Sequence, residues 1–272
     1  MSDFLAVMAA SSDARWREAE AMESIDALKA RALRTPNPPR LTLDGRFDLL
    51  AEVKLVAPSA GRLATPVGDR AGFVVAQALR YQAAGACAIS VLTEPDRFDG
   101  RLSDLAAVVA ALSVPAMRKD FLVAPYQIWE ARAAGAGGVL LIVRMLSPDA
   151  LKALVDAAIE AGLFVLLEAF DEEDLARSAE FVAAWPAGAQ PLMVGVNTRD
   201  LSTLQVAEGR LESLAGVLPA GVPGVAESGL RVPADAARAR ALGYTVALIG
   251  SALMASSDPE SLGRAMLAAG RA

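Results

Sequence analysis

The run Leu49-Leu50-Ala51-Glu52-Val53-Lys54 decides how the rest of the chain is read. It is short and apolar, as a buried strand should be, yet it contains a carboxylate and ends on an ammonium. Side chains alternate along a strand, so Glu52 and Lys54 share one side. Charges are almost never buried unpaired, so the two predict a mutual pair at the strand's C-terminal end. Seven runs of the same kind follow, at 87–93, 114–119, 138–143, 164–168, 192–197, 222–227 and 245–250. Ala-rich amphipathic segments separate them, including 71–84, 125–134, 148–161 and 172–183. Gly85, Gly135, Gly162 and Gly243 stand where those segments stop, as helix C-termini favour.

Near-continuous apolar strands alternating with helices imply a parallel sheet buried on both faces. After the first, the strand ends recur about every 23 to 30 residues, one strand–helix unit each. Eight such units predict a closed barrel. An open doubly wound sheet would more often carry a Gly-rich turn after its first strand, and none is present. The expected fold is α/β, a single (β/α)8 TIM barrel at 47–272 with an N-terminal helical extension at 1–46. Within the extension, 13–34 reads as one charged amphipathic helix, broken by Pro36, Pro38 and Pro39. It either caps a barrel end or forms a lid over the mouth.

Composition narrows the chemistry. The chain has 272 residues, no histidine, one cysteine and a formal net charge of −6. Imidazole acid–base work, His metal sites and the Ser-His-Asp triad are excluded. A lone Cys87 allows neither an intrachain disulfide nor a Cys metal cluster. Without clustered Lys and Arg, nucleic acid is not an expected partner. Apolar stretches stop short of the roughly 20 residues a membrane helix needs, and Met1–Leu5 lacks the basic start of a signal peptide. The expectation is a cytoplasmic protein, a monomer or weak homodimer, without a His or Cys metal site.

All strand C-termini of a barrel open on one face, where barrel active sites lie. The strand ends therefore bring Glu52, Lys54, Lys119, Glu168, Asn197, Arg199 and Glu227 to one mouth. A single charge after a strand is often only a solvated loop residue. Seven of them point to a shared site. Ser228-Gly229 and Gly250-Ser251 follow strands seven and eight, where barrels often bind phosphate through backbone N–H groups. Cys87, Trp129 and the helix-opening acidic run 171–174 read as structural.

At these residues the chain resembles the indole-3-glycerol-phosphate synthase family. The resemblance rests on Ala51-Glu52-Val53-Lys54 with Pro58-Ser59; Ser90-Val91-Leu92-Thr93 with Phe98-Asp99-Gly100; Arg118-Lys119-Asp120-Phe121; Asn197-Thr198-Arg199-Asp200-Leu201; Ala226-Glu227-Ser228-Gly229; and Ile249-Gly250-Ser251. It implies a phosphorylated small-molecule substrate, 1-(2-carboxyphenylamino)-1-deoxyribulose 5-phosphate, converted without a cofactor. It also implies Lys119 as general acid, Glu168 as a base and Lys54 paired with Glu52. Asn197, Arg199 and Glu227 are the implied orienting shell. Ser228, Gly229, Gly250, Ser251 and Lys54 are the implied phosphate site. Pro58, Phe98, Phe121 and Leu204 are the implied apolar walls. The division of acid and base roles among Lys54, Lys119, Glu52 and Glu168 stays open.

The chain departs from the family pattern in three places. Ala57 stands where the family has a phosphate-binding Ser, Arg101 where it has Ser, and Phe170 where it often has His. Three rivals remain. A phosphosugar isomerase barrel would require a Cys at position 54. A paralogue could serve a secondary pathway. A non-catalytic phosphosugar binder would not need both Lys119 and Glu168.

Overall fold

The computed structural model describes residues 4–66, 68–200 and 205–272. Eight parallel strands form a closed barrel. They are β1 (Asp48–Val53), β2 (Ala88–Leu92), β3 (Ala116–Lys119) and β4 (Gly138–Ile142). Then come β5 (Phe164–Ala169), β6 (Leu192–Asn197), β7 (Gly224–Glu227) and β8 (Val246–Ile249). Each strand pairs with its sequence neighbours, and β8 closes on β1 with Leu49 opposite Ala247.

Alternation along the strands separates two apolar clusters. Leu49, Ala51, Val91, Val139, Leu167 and Val194 face outward and pack under the helices. Leu50, Met117, Leu140, Phe164, Leu166 and Met193 fill the barrel interior. The fill depends on small residues opposite large ones. A Cβ on Gly138 would lie 2.4 Å from the Phe164 ring, so that position can hold only glycine.

The extension differs from the single helix expected over 13–34. It forms α1 (Phe4–Met22) and α2 (Ile25–Arg34). The break falls at Ser24, whose extended backbone ends the first helix and whose Oγ accepts from Ala27 N at 3.4 Å to start the second. Helix α2 packs on α6 (Pro125–Ala133). After it, the chain passes the N-terminal end of the barrel. Arg40 donates to the carbonyls of Gly188 and Ala189 before β6, and Leu41 joins the interior cluster. Helix α1 instead borders the opposite end, where Phe4 packs edge-on against Phe121 with ring centroids 5.9 Å apart.

The other helices need only brief placement. They are α3 (Arg70–Ala83), α4 (Pro95–Phe98), α5 (Leu102–Ala111), α7 (Pro148–Glu160) and α8 (Glu172–Ala184). The chain closes with α9 (Arg210–Ala215), α10 (Pro233–Ala241), α11 (Ser251–Ala255) and α12 (Pro259–Arg271). The acidic run opening α8 satisfies its N-terminus, with Asp171 accepting from Asp174 N at 3.0 Å.

Candidate active site

The alternation that points Leu50 inward also points Glu52 inward, one turn of the pleat nearer the C-terminal end. The same step carries Met117 to Lys119, Leu166 to Glu168, Met193 to Gly195 and Asn197, and Val225 to Glu227. The top layer of the interior is therefore charged where the lower layers are apolar. It floors a cavity of about 1120 Å³.

Two ion pairs lie in this floor. Lys119 Nζ donates to Glu168 Oε2 at 2.9 Å, and Lys54 Nζ contacts Glu52 Oε1 at 2.6 Å. Glu52, Glu168 and Glu227 are all buried. Two glycines make room for them. A Cβ on Gly195 would sit 2.0 Å from Glu227 Oε1, and one on Gly250 would sit 2.4 Å from Glu52 Oε1.

The electrostatics are uneven. Burial works against the charge on Lys119, but Glu168, Glu227 and Glu52 outweigh it and hold the ammonium above its ordinary range. Burial pushes the Glu227 carboxyl well up, and the adjacent Glu168 charge adds to this while Lys119 opposes it. The like charge of Glu168 beside it therefore favours a proton on Glu227. Its Oε1 has no hydrogen-bond partner among the described residues. The layer thus presents a held ammonium, a carboxyl that keeps its proton more readily than usual and one acceptor without a partner among the described residues. Those are parts for acid–base chemistry.

Other residues named from sequence ring the same cavity. Asn197 Oδ1 accepts from Arg199 N at 2.9 Å, and Arg199 Nη1 donates to Ser59 Oγ at 2.7 Å. Burial lowers the affinity of the Arg199 guanidinium for its proton, Glu52 opposes this and Arg231 reinforces it. Pro58, Phe98 and Phe121 form an apolar wall, with the two phenyl rings 6.1 Å apart. Ser228, Gly229, Gly250 and Ser251 line the cavity beyond β7 and β8. Ser228 and Gly229 take left-handed backbone at φ 65° and 79°, an unusual conformation for serine. Leu204 lies outside the described residues.

Among the cavity residues that escaped the sequence reading, Phe4, Arg231 and Asp120 bear most on the site. Phe4 lines the cavity from α1, and Arg231 lines it beyond Gly229. Asp120 borders it but is occupied. It accepts from both Arg15 Nη atoms, from Thr93 Oγ1 at 2.7 Å and from Arg118 Nη2 at 3.0 Å. Burial raises the pKa of its carboxyl, but the neighbouring cations more than reverse this and hold it below the ordinary range. An acidic residue inside Arg118-Lys119-Asp120-Phe121 was the available signal. Ala57 lines the cavity, whereas Arg101 is exposed before α5 and does not.

Cys87 cannot serve as a base here. It precedes β2 at the far end of the barrel, where its Sγ contacts the Leu49 carbonyl at 3.3 Å and burial pushes the thiol up to about 12. Among the described residues, no group of three or more His, Cys, Asp or Glu side chains could hold a metal ion. No helix among them is long and apolar enough to cross a membrane.

Solved structures with this fold include 3-hexulose-6-phosphate synthase from Salmonella typhimurium. It matches with a TM-score of 0.60 at 16% identity, over 82% of this chain and 98% of that one. A tryptophan synthase chain from M. tuberculosis matches with a TM-score of 0.58 at 17% identity, over 91% of this chain and 97% of that one. These likenesses concern the fold alone. Sequence relatives are nearer. Indole-3-glycerol phosphate synthase 1 of Streptomyces coelicolor is 42% identical over 260 residues, covering 93% of this chain and 90% of the relative. The indole-3-glycerol phosphate synthase of Mycolicibacterium smegmatis is 43% identical over 254 residues, covering 92% and 89%. The model of the indole-3-glycerol phosphate synthase family matches residues 17–266. With the charged barrel rim already in view, these matches establish that the chain belongs to the indole-3-glycerol phosphate synthase family.

Proposed function

We propose that the chain closes an indole ring, converting 1-(2-carboxyphenylamino)-1-deoxyribulose 5-phosphate to indole-3-glycerol phosphate, carbon dioxide and water, as a step of tryptophan biosynthesis. The observation that carries this reading is the 2.9 Å Lys119–Glu168 pair at the floor of an open cavity. A site that only held a phosphosugar would gain little from a buried ammonium set between carboxyls.

In this reading the substrate phosphate lies toward Ser228-Gly229 and Gly250-Ser251. The aromatic ring lies against Pro58, Phe98 and Phe121, with Leu204 as a further wall. Lys119, kept charged by its acidic neighbours, donates its proton to the sugar ketone oxygen as the ring carbon bonds to the carbonyl carbon. The charge left on the anilino nitrogen side draws electrons from the carboxylate, and carbon dioxide departs. Lys54 then protonates the departing hydroxyl, Glu168 removes the remaining ring proton, and the indole becomes aromatic. Glu52 holds Lys54. Asn197, Arg199 and Glu227 orient the substrate and the reacting groups. Each positioned acid or base contributes about 10²–10⁴-fold.

The reading also takes residues 1–46 as an extension capping a 47–272 catalytic barrel, in a cytoplasmic monomer or weak homodimer. Incubation of the purified protein with the carboxyphenylamino substrate, followed by indole fluorescence, tests the activity. Product formation is expected, and its absence overturns the proposal. Sedimentation equilibrium tests the assembly state.

A further inference from the structure

Lys54 contacts Glu52, Lys119 bonds Glu168, and the acidic Asp120 is covered by Arg15 and Arg118. Arg231 differs from these. It lines the cavity, it follows the left-handed Ser228-Gly229 turn by two residues, and its guanidinium makes no ion pair among the described residues. Among the described residues only its backbone N–H is engaged, with Asp235 Oδ2 at 2.7 Å. Its charge reaches across the cavity, because it helps to depress the proton affinity of Arg199. Two guanidiniums that repel each other over one cavity are stabilised by an anion between them. Ala57 lies on a short hairpin, in which Val56–Ala57 pairs antiparallel with Gly61–Arg62, close to Arg199's partner Ser59; it contributes a methyl group to the same cavity and cannot donate.

We infer that Arg231 is a substrate-binding residue that grips the phosphate dianion, supplying from the β7 side the contact that Ala57 cannot make from the β1 side. This rests on the proposed function for the identity of the substrate, but not for the presence of an anion site. A guanidinium suits the task because its planar fork can meet two phosphate oxygens at once and never loses its charge at neutral pH. An exposed arginine is hydrated in the free protein, so the grip should depend on ionic strength.

The test uses the full chain and two independent readouts. In steady-state kinetics, Arg231→Ala should raise KM by about tenfold, roughly the value of one charge-assisted hydrogen bond. Arg231→Lys should recover part of this, and Ala57→Ser in the Arg231→Ala background should recover part as well. Raising the salt concentration should raise KM in the parent protein more steeply than in Arg231→Ala. In calorimetric titration with inorganic phosphate, Arg231→Ala should bind several-fold more weakly than the parent. Unchanged phosphate affinity in Arg231→Ala overturns the inference, whether or not the protein turns the substrate over. A parent that binds phosphate through Arg231 without forming product would instead overturn the proposed function and leave the anion site standing.

Discussion

Lys119 and Asp120 are neighbours in sequence, both are charged and both are held by opposite charges, yet they belong to different kinds of site. Lys119 ends β3 facing inward, where it meets Glu168 and a carboxyl-rich floor. Asp120 faces a network that accounts for both its oxygens. Oδ1 accepts from Arg15 and from the Phe121 N–H, and Oδ2 accepts from Thr93, Arg118 and Arg15. The Asp120 network has no acceptor to spare and includes cations on both sides. The Lys119 cluster holds more carboxyls than cations and leaves Glu227 Oε1 unused. Buried polar groups in folded proteins are nearly always satisfied, so an exception needs a reason. The Asp120 carboxylate is fully satisfied and fastens α1 to the barrel, even though Arg15 Nε is left without a partner among the described residues. The Lys119 cluster is poised for a ligand.

The sharpest way to break this comparison is to delete one member of each cluster. Lys119→Ala and Glu168→Gln should each lower turnover by at least about 100-fold, the loss expected for a missing acid or base. Their thermal transitions should stay close to that of the parent, because carboxyls left without Lys119 can take up protons. Near-normal product formation in either variant would remove that residue from the mechanism. Asp120→Ala should do the reverse. It removes the carboxylate between Arg15 and Arg118, leaving Arg118 only its 3.2 Å contact with Glu130, and breaking a buried pair from one side costs about 3–5 kcal/mol. Urea unfolding reads that loss directly. A stability loss below about 1 kcal/mol would mean that the network does not hold α1 in place.

The two carboxyls should also respond to pH with opposite signs. Asp120 is held below its ordinary value of 3.8, so the stability it contributes is present above that value and is lost as acid protonates it. Glu227 is raised above its ordinary value of 4.5, so the folded protein retains a proton that the unfolded chain releases. The stability tied to that proton is complete below 4.5 and declines as pH rises toward the folded value. One such group gives a slope of up to about 1.4 kcal/mol per pH unit. Glu227→Gln should therefore flatten the decline in unfolding free energy above the ordinary carboxylate range. An identical slope in parent and variant would show that Glu227 ionises like an ordinary glutamate.

How far these clusters could be read from sequence follows from their reach. Alternation is local, so the inward set Glu52, Glu168, Asn197 and Glu227 was legible from strand runs alone, as was the barrel. The pairing of Lys54 with Glu52 was legible for the same reason, two residues apart on one strand. Arg15 and Asp120 lie 105 residues apart, and no local pattern joins them. The glycines behind the carboxylates were equally hidden. Gly195 looks like an ordinary strand residue until the Glu227 side chain is found in the space its Cβ would fill. Phe4 was missed because a helix expected to start at residue 13 cannot bring residue 4 to the mouth. The Ser24 cap was overlooked because the charged pattern continues through it, although a serine with extended backbone is a standard helix start.

The smallest expected effect lies on the hairpin that carries Ala57. Ala57 is buried and lines the cavity, so a hydroxyl placed there would face the substrate rather than bulk water. A hydrogen bond to a charged acceptor contributes at most about 3 kcal/mol net, and a neutral donor at a wet site contributes nearer 1 kcal/mol. In Ala57→Ser the new donor would add to cations and backbone N–H groups already facing the phosphate. The expected gain is therefore a KM lower by a factor of a few. The turnover number should hardly change, because the phosphate is bound alike before and during the reaction, and such uniform binding acts on KM alone. The same reasoning makes the effect of Ala57→Ser larger when Arg231 is absent, since a donor counts for more where fewer compete. Steady-state kinetics of the single and double variants decides the matter. An equal or raised KM in Ala57→Ser would mean that the hairpin directs position 57 away from the phosphate. The rim beyond β7 and β8 would then hold the anion without help from β1.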